Sequence, residues 1–182
     1  MNWPARESAS LLASITALLL AACTSIPQSA LPPEGETLAG RLAVKVEASD
    51  GVAARSETAS FELQGGAEAG RLNLATPLGS VIAQARWDAG MVALVTPQGE
   101  RRFADLDALT QEVLGESVPV TALFDWLRGR PWPGAPSQVN TVPPGFAQLG
   151  WAVDLTRLSE GWVTARRERA PAVTVRAKLD AS

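Results

Sequence analysis

The chain has 182 residues, a formal charge of −3, one Cys, no His and no Tyr. That length suits one domain with a real core, and the absence of a basic excess argues against nucleic acid as the main ligand. A lone thiol excludes an intrachain disulfide, the missing His excludes Ser–His–Asp and Cys–His triads, and a zinc site would rest on carboxylates and one thiol, so no enzyme, metal or cofactor is expected.

Residues 11–22, LLASITALLLAA, form an apolar, uncharged run. As a helix it would cover about 18 Å, short of a hydrocarbon core of ~30 Å, so it reads as the h-region of an export signal. Its n-region is weakly positive, with Arg6 beside Glu7. Leu20-Ala21-Ala22-Cys23 resembles the bacterial lipobox. Small residues suit a peptidase that grips extended backbone, and the thiol becomes a thioether to diacylglycerol. The other reading is an ordinary signal peptide with an accidental Cys. The expected organisation is a signal peptide over 1–22, a lipidated flexible tether over 23–37 and one domain over 38–182. The tether holds three prolines and little periodicity. By the enterobacterial sorting rule, Thr24 after the Cys favours the outer membrane.

From Leu38 the pattern has period two. Leu38, Gly40, Leu42, Val44 and Val46 alternate with Ala39, Arg41, Ala43, Lys45 and Glu47; Ala59, Phe61 and Leu63 alternate with Ser60 and Glu62. Leu72 and Leu74 flank Asn73, and Val81, Ala83, Ala85 and Trp87 follow the same plan. Met91 to Thr96 is a short apolar strand ending at the turn Pro97-Gln98-Gly99. Half-buried strands with short connections predict an antiparallel meander.

The period then lengthens. ADLDALTQEVLG puts Leu106, Leu109, Val113 and Leu114 on one helical face, with Asp105 to cap the start and Gly115 to end it. A second helix brings Val120, Leu123, Phe124 and Leu127 near one face, with Pro119 in its first turn and Gly129 after its last. RPWPGAPSQVN reads as a loop and TVPPGFAQ as a short turn or helix start. Strands resume at Trp151–Leu155, Trp162–Ala165 and Val173–Leu179, and Arg166-Arg167-Glu168-Arg169 reads as a turn. The chain is mainly β with a helical insert.

Several stretches, in order over about residues 38–155, resemble the LolB family of outer-membrane lipoprotein receptors. They are Gly40-Arg41-Leu42-Ala43-Val44, Arg71-Leu72-Asn73-Leu74-Ala75-Thr76-Pro77-Leu78-Gly79-Ser80, Thr96-Pro97-Gln98-Gly99, Val118-Pro119-Val120, Leu123 through Pro131, and Gln148-Leu149-Gly150-Trp151-Ala152-Val153. The resemblance implies an unclosed antiparallel β-barrel covered by an α-helical lid, with an apolar cavity between. It implies a monomer that accepts acylated lipoprotein cargo from a LolA-like periplasmic carrier and inserts it into outer-membrane phospholipid. Lipid attachment would fall on Cys23. The acyl-cavity candidates are Phe61, Leu74, Trp87, Leu123, Trp126, Leu127 and Trp151; Trp87, Trp126 and Trp151 read more simply as core, and as lining they would supply large apolar faces. This sequence departs from the family pattern in having no Tyr, a sparser aromatic set around Phe61 and a short tail after Trp162.

Pro77, Leu78 and Gly79 form the expected membrane-insertion loop. The residues alone leave two readings of Leu78, one folded back onto the sheet edge and one exposed at the tip; the resemblance implies the second. Trp132 sits in a Pro-rich loop and could mark a mouth or an interface. Arg41, Arg71 and Arg86 could meet an acidic carrier or form a solvated face. Three rival functions stay open. One is a lipocalin-like lipoprotein with another hydrophobic ligand, and one is an accessory lipoprotein of an envelope assembly machine. The third is an enzyme using Asp105 and Asp107, which read more simply as helix-start acids.

Overall fold

Alternating side chains fold the chain into strands wherever one face can be buried, and the register of those strands decides the architecture. The computed structural model describes residues 37–51 and 53–181. The expected signal peptide, Cys23 and nearly all of the tether lie outside these residues. Among the described residues, β1 (Thr37–Val46), β2 (Arg55–Gly65), β3 (Gly70–Ala75), β4 (Val81–Asp88), β5 (Met91–Thr96) and β6 (Gly99–Phe103) precede α1 (Leu106–Leu114) and α2 (Val120–Leu127). They are followed by β7 (Ser137–Thr141), β8 (Pro144–Gln148), β9 (Trp151–Asp154), β10 (Trp162–Arg167) and β11 (Val173–Leu179).

All eleven strands form one sheet in the order β6-β5-β4-β3-β2-β1-β11-β10-β9-β8-β7. Each neighbouring pair is antiparallel. The meander returns to its start because β11 pairs with β1, Gly40 opposite Leu179 through Val46 opposite Val173. β6 and β7 are the two edges and do not pair with each other, so the sheet stays open. The helical insert leaves one edge and rejoins the other.

One face of the sheet is apolar. Val44, Val46, Phe61, Leu63, Ala85, Trp87, Leu94, Trp151, Val153, Val163, Ala165, Val173, Val175 and Ala177 are buried, and both helices pack into this same core. The opposite face is polar. Arg71 Nη2 donates to Gln64 Oε1 at 2.6 Å, Gln84 Nε2 donates to Asn73 Oδ1 at 2.7 Å, and Arg86 pairs with Glu100 at 2.9 Å. These arginines therefore belong to a hydrogen-bonded outer face.

Strand direction sets two ends in the β1–β4 region. The near end holds Thr37, where the chain enters β1, and the β2–β3 turn, since Thr37 lies opposite Gln64 and Gly65 opposite Gly70. The other end holds the β1–β2 loop and the β3–β4 turn.

The structure corrects the sequence reading in five places. β6 is a strand although GERRF is charged and mostly exposed, as an edge strand tolerates. RPWPGAPSQVN ends in β7, and TVPPGFAQ forms the β7–β8 turn and β8 rather than a helix start. Two prolines at an edge hairpin hide that signal. Arg166 and Arg167 end β10, so only Glu168 and Arg169 belong to the turn. The domain's first strand also begins at Thr37, one residue before the expected boundary.

Candidate functional site

α1 begins where Asp105 Oδ1 accepts from the Ala108 amide at 2.7 Å. It ends at Gly115, whose φ of 80° lets its amide reach Gln111 O at 2.9 Å. α2 starts at Val120, with Pro119 at its N-cap just before the expected first-turn position, and is apolar on nearly every side, with Val120, Ala122, Leu123, Phe124, Trp126 and Leu127 buried. Thr110 joins the helices: its hydroxyl accepts from the Val118 amide at 3.0 Å and lies 3.1 Å from Asp107 O.

Between α1 and the sheet lies an apolar cavity of about 130 Å³. β1 contributes Leu42 and Val44, β3 Leu72 and Leu74, β4 Ala83 and Ala85, β5 Leu94, and β11 Val175. The roof is Leu106, Leu109, Thr110, Val113, Leu114, Val118, Val120 and Leu123. The exposed residues of its wall are Glu57 and Thr58 at the start of β2 and Val113 near the end of α1. They mark a mouth at the end of β2 away from Thr37. Val113, expected on one helical face with Leu106 and Leu109, is exposed where it stands on this rim.

The β3–β4 turn lies beside the mouth. Ser60 is opposite Ala75, and β2 continues five residues past that pair to Arg55. Residues 76–80 therefore run beside the overhanging Glu57 and Thr58. Gly79 takes φ 87°, and the turn closes through Gly79 N to Thr76 O at 2.9 Å and Thr76 N to Ser80 O at 2.8 Å. Leu78 at the tip is 96% exposed, Val81 is 63% exposed and Ile82 is 42% exposed. Leu78 does not fold back onto the sheet.

Of the expected cavity residues, Leu74 and Leu123 line the cavity. Phe61, Trp87, Trp126, Leu127 and Trp151 do not; they are buried in the core beside it. Trp87 meets Phe124 edge-on at 5.8 Å, and Trp126 meets Phe146 at 6.3 Å and Trp151 at 6.1 Å. Large rings fill space, and the hollow remains where the inner face carries Ala and Leu. Trp132 is half-buried against the core rather than standing at the mouth.

Buried polar groups hold the α2 side in place. Gln148, 3% exposed, accepts from Trp126 Nε1 at 2.8 Å and from the Trp132 amide at 2.9 Å. It donates to Trp132 O and Ala135 O, both at 2.7 Å. Arg167 binds Glu116 at 2.5 Å and stacks over Trp151 at 5.6 Å, tying the α1–α2 connection to β10. No local sequence signal marks Gln148 or Glu116, because their partners lie far along the chain. Elsewhere the hydrogen bonds from Thr156 hold the Asp154 carboxyl below the usual aspartate range, and Arg157 does the same for Glu160. Among the described residues no three His, Cys, Asp or Glu side chains converge as a metal site, and no helix is long and apolar enough to cross a membrane.

A family model described as "Outer membrane lipoprotein LolB" matches residues 37–176. The outer-membrane lipoprotein LolB of Bordetella pertussis is 36% identical over 148 residues, 76% of this chain and 73% of the relative. That of Bordetella petrii is 34% identical over 160 residues, covering 82% and 78%. That of Cupriavidus metallidurans is 31% identical over 183 residues, covering 93% and 85%.

Proposed function

The chain belongs to the LolB family, and on that premise we propose how it works as an outer-membrane lipoprotein that receives lipoproteins within the Lol pathway and passes them to the outer membrane. It is held by lipid and faces the periplasm. In our reading, residues 1–22 are removed, Cys23 carries the acyl chains, and the domain acts as a monomer. The donor is a LolA-like periplasmic carrier, and the recipient is phospholipid of the inner leaflet.

The observation that carries this reading is the apolar cavity, whose mouth adjoins the exposed Leu78 turn. Acyl chains gain about 0.8 kcal/mol for each methylene removed from water, so they move between proteins only through an apolar shelter. The cavity of about 130 Å³ is smaller than an engineered ~150 Å³ cavity that takes one benzene. An acyl chain therefore enters only if the roof lifts. α1 is the element to lift. Its sheet-side ties include an exposed ion pair between Glu112 and Arg101. α2, in contrast, is fixed by buried rings and by Gln148. Leu74 and Leu123 would then touch the chains, and Pro77-Leu78-Gly79 would enter the bilayer as cargo leaves.

Transfer in solution tests this. A leaderless form with Cys23→Ala is mixed with carrier loaded with labelled lipoprotein, and liposomes are added afterwards. The expected result is that cargo moves to the domain, and that Leu78→Glu accepts cargo but fails to release it to liposomes. If no cargo leaves an active carrier for a folded domain, the receptor reading is wrong, and a lipocalin-like role takes its place.

A further inference from the structure

The apolar cavity has a blind end. From the mouth at Glu57, Thr58 and Val113, its lining runs inward along β4 and β5 as far as the cross-strand pair Ala85–Leu94. The next inward pair, Trp87–Val92, lies two residues on, about 7 Å along the strands. That pair borders a separate surface groove of about 410 Å³. The groove lies at the β4–β5 turn and carries the exposed carboxylates Glu68, Asp88, Asp105 and Asp107. Among the described residues Leu106 alone borders both spaces. It is the first residue of α1 and is 7% exposed.

The sheet side of this partition is rigid. The Trp87 indole N–H donates to Gly66 O at 3.1 Å, and its ring meets Phe124 edge-on at 5.8 Å. Gly70 backs it closely, since a Cβ there would lie 2.4 Å from the ring. Leu106 sits at the firmer end of α1. Asp105 caps that turn, and burial falls along the helix from Leu106 and Leu109 to Val113, which is 45% exposed. A roof that lifts therefore lifts from the mouth, with the Leu106 end as its hinge.

We infer that Leu106 is the floor of the acyl cavity and limits how deep a chain can enter. This rests on the reading of the cavity as an acyl shelter. Seven residues of helix separate Leu106 from Val113, about 10 Å at the helical rise. A lipid acyl chain spans about 15 Å, half of a hydrocarbon core of ~30 Å. Part of a full-length chain thus stays at the mouth, and a chain that passed Leu106 would meet carboxylates and water. Each methylene kept out forgoes about fourfold in affinity. A floor at this depth leaves the bilayer as the stronger acceptor, so cargo is passed on rather than retained.

The test titrates the leaderless Cys23→Ala form with saturated fatty acids from octanoate to stearate, each displacing a fluorescent fatty acid. Affinity should rise about fourfold per methylene and then level off before the longest chains. Leu106→Ala should move that break to longer chains by at least two carbons, and Leu106→Phe should move it to shorter ones. Release of bound lipoprotein to liposomes should slow at least fourfold in Leu106→Ala, with acceptance retained. Met91 borders the groove and is 43% exposed, so Met91→Cys places a single fluorophore there. Palmitate brominated at its terminal carbon should quench that label in the Leu106→Ala background and leave it bright when Leu106 is present. A break at the same chain length with Leu, Ala and Phe at this position overturns the inference, as does quenching at 91 with Leu106 in place. Should Leu106→Ala not fold, the shift with Leu106→Phe and the dark or bright label beside Leu106 still decide. If no fatty acid binds the folded parent, the acyl reading of the cavity fails, and the floor fails with it.

Discussion

The two halves of the inner face follow the same alternation, yet one is packed and the other is hollow. Under α2, the indole of Trp126 meets Phe146 and Trp151, and Gln148 satisfies the polar atoms that come with such large rings. Under α1, Leu72, Leu74, Ala83, Ala85 and Leu109 line a cavity that they do not fill. Both halves bury apolar surface, but only the first is filled by its own side chains. A receptor for acyl chains needs a rigid half to hold the sheet open and a loose half to yield, and side-chain size on one continuous face provides both.

Substitutions at equivalent depths should separate the halves. Trp126→Ala removes a ring that is 1% exposed and should cost about 3–5 kcal/mol in chemical denaturation. Leu109→Ala, beside an existing void, should fall near the lower end of the Leu→Ala range, about 2–3 kcal/mol. Equal losses at the two sites would mean that the α1 half is as tightly packed as the other. Leu149→Asn should raise stability by about 1 kcal/mol. Leu149 holds φ 54° in the β8–β9 turn, where a leucine Cβ crowds its carbonyl and Asn before Gly is the favoured pair. Ala83→Leu should change stability by less than ~1 kcal/mol while weakening uptake of a fluorescent fatty acid, because it fills part of the hollow.

The smallest effect concerns pH. Thr156 keeps the Asp154 carboxyl low when folded, so its contribution is present above the ordinary aspartate range and lost as pH falls through and below it. Asp154→Asn should flatten that acid limb in thermal melts by lowering neutral stability slightly, with little change at acid pH.

Most strands were legible because one face is buried and the other wet. β1 and β11 alternate in sequence and in burial, and β2 does so around Phe61 and Leu63. β6, β7 and β8 were not legible. The first two are solvated edges with no pattern to read, and β8 carries Pro144 and Gly145. Leu78 was legible as a turn residue, and its exposure was left open. The inward aromatic residues were ambiguous, and the simpler reading of Trp87, Trp126 and Trp151 as core is what the structure has. A Trp on an inward strand position is equally consistent with a lining and with a filling, and five of the seven expected cavity residues proved to be filling.

The sequence by itself determined the plan of strands, two helices and strands again outside β6, β7 and β8, the caps of α1 and the turn that carries Leu78, because these depend on neighbours in the chain. Only the tertiary structure decided that β11 closes back on β1 and that β6 and β7 stay unpaired. It alone decided that Gln148 and the Glu116–Arg167 pair fix one half of the roof, and that the mouth lies opposite Thr37. Those outcomes follow from contacts between residues far apart in the chain, where side-chain volume and register act together and no local pattern records them.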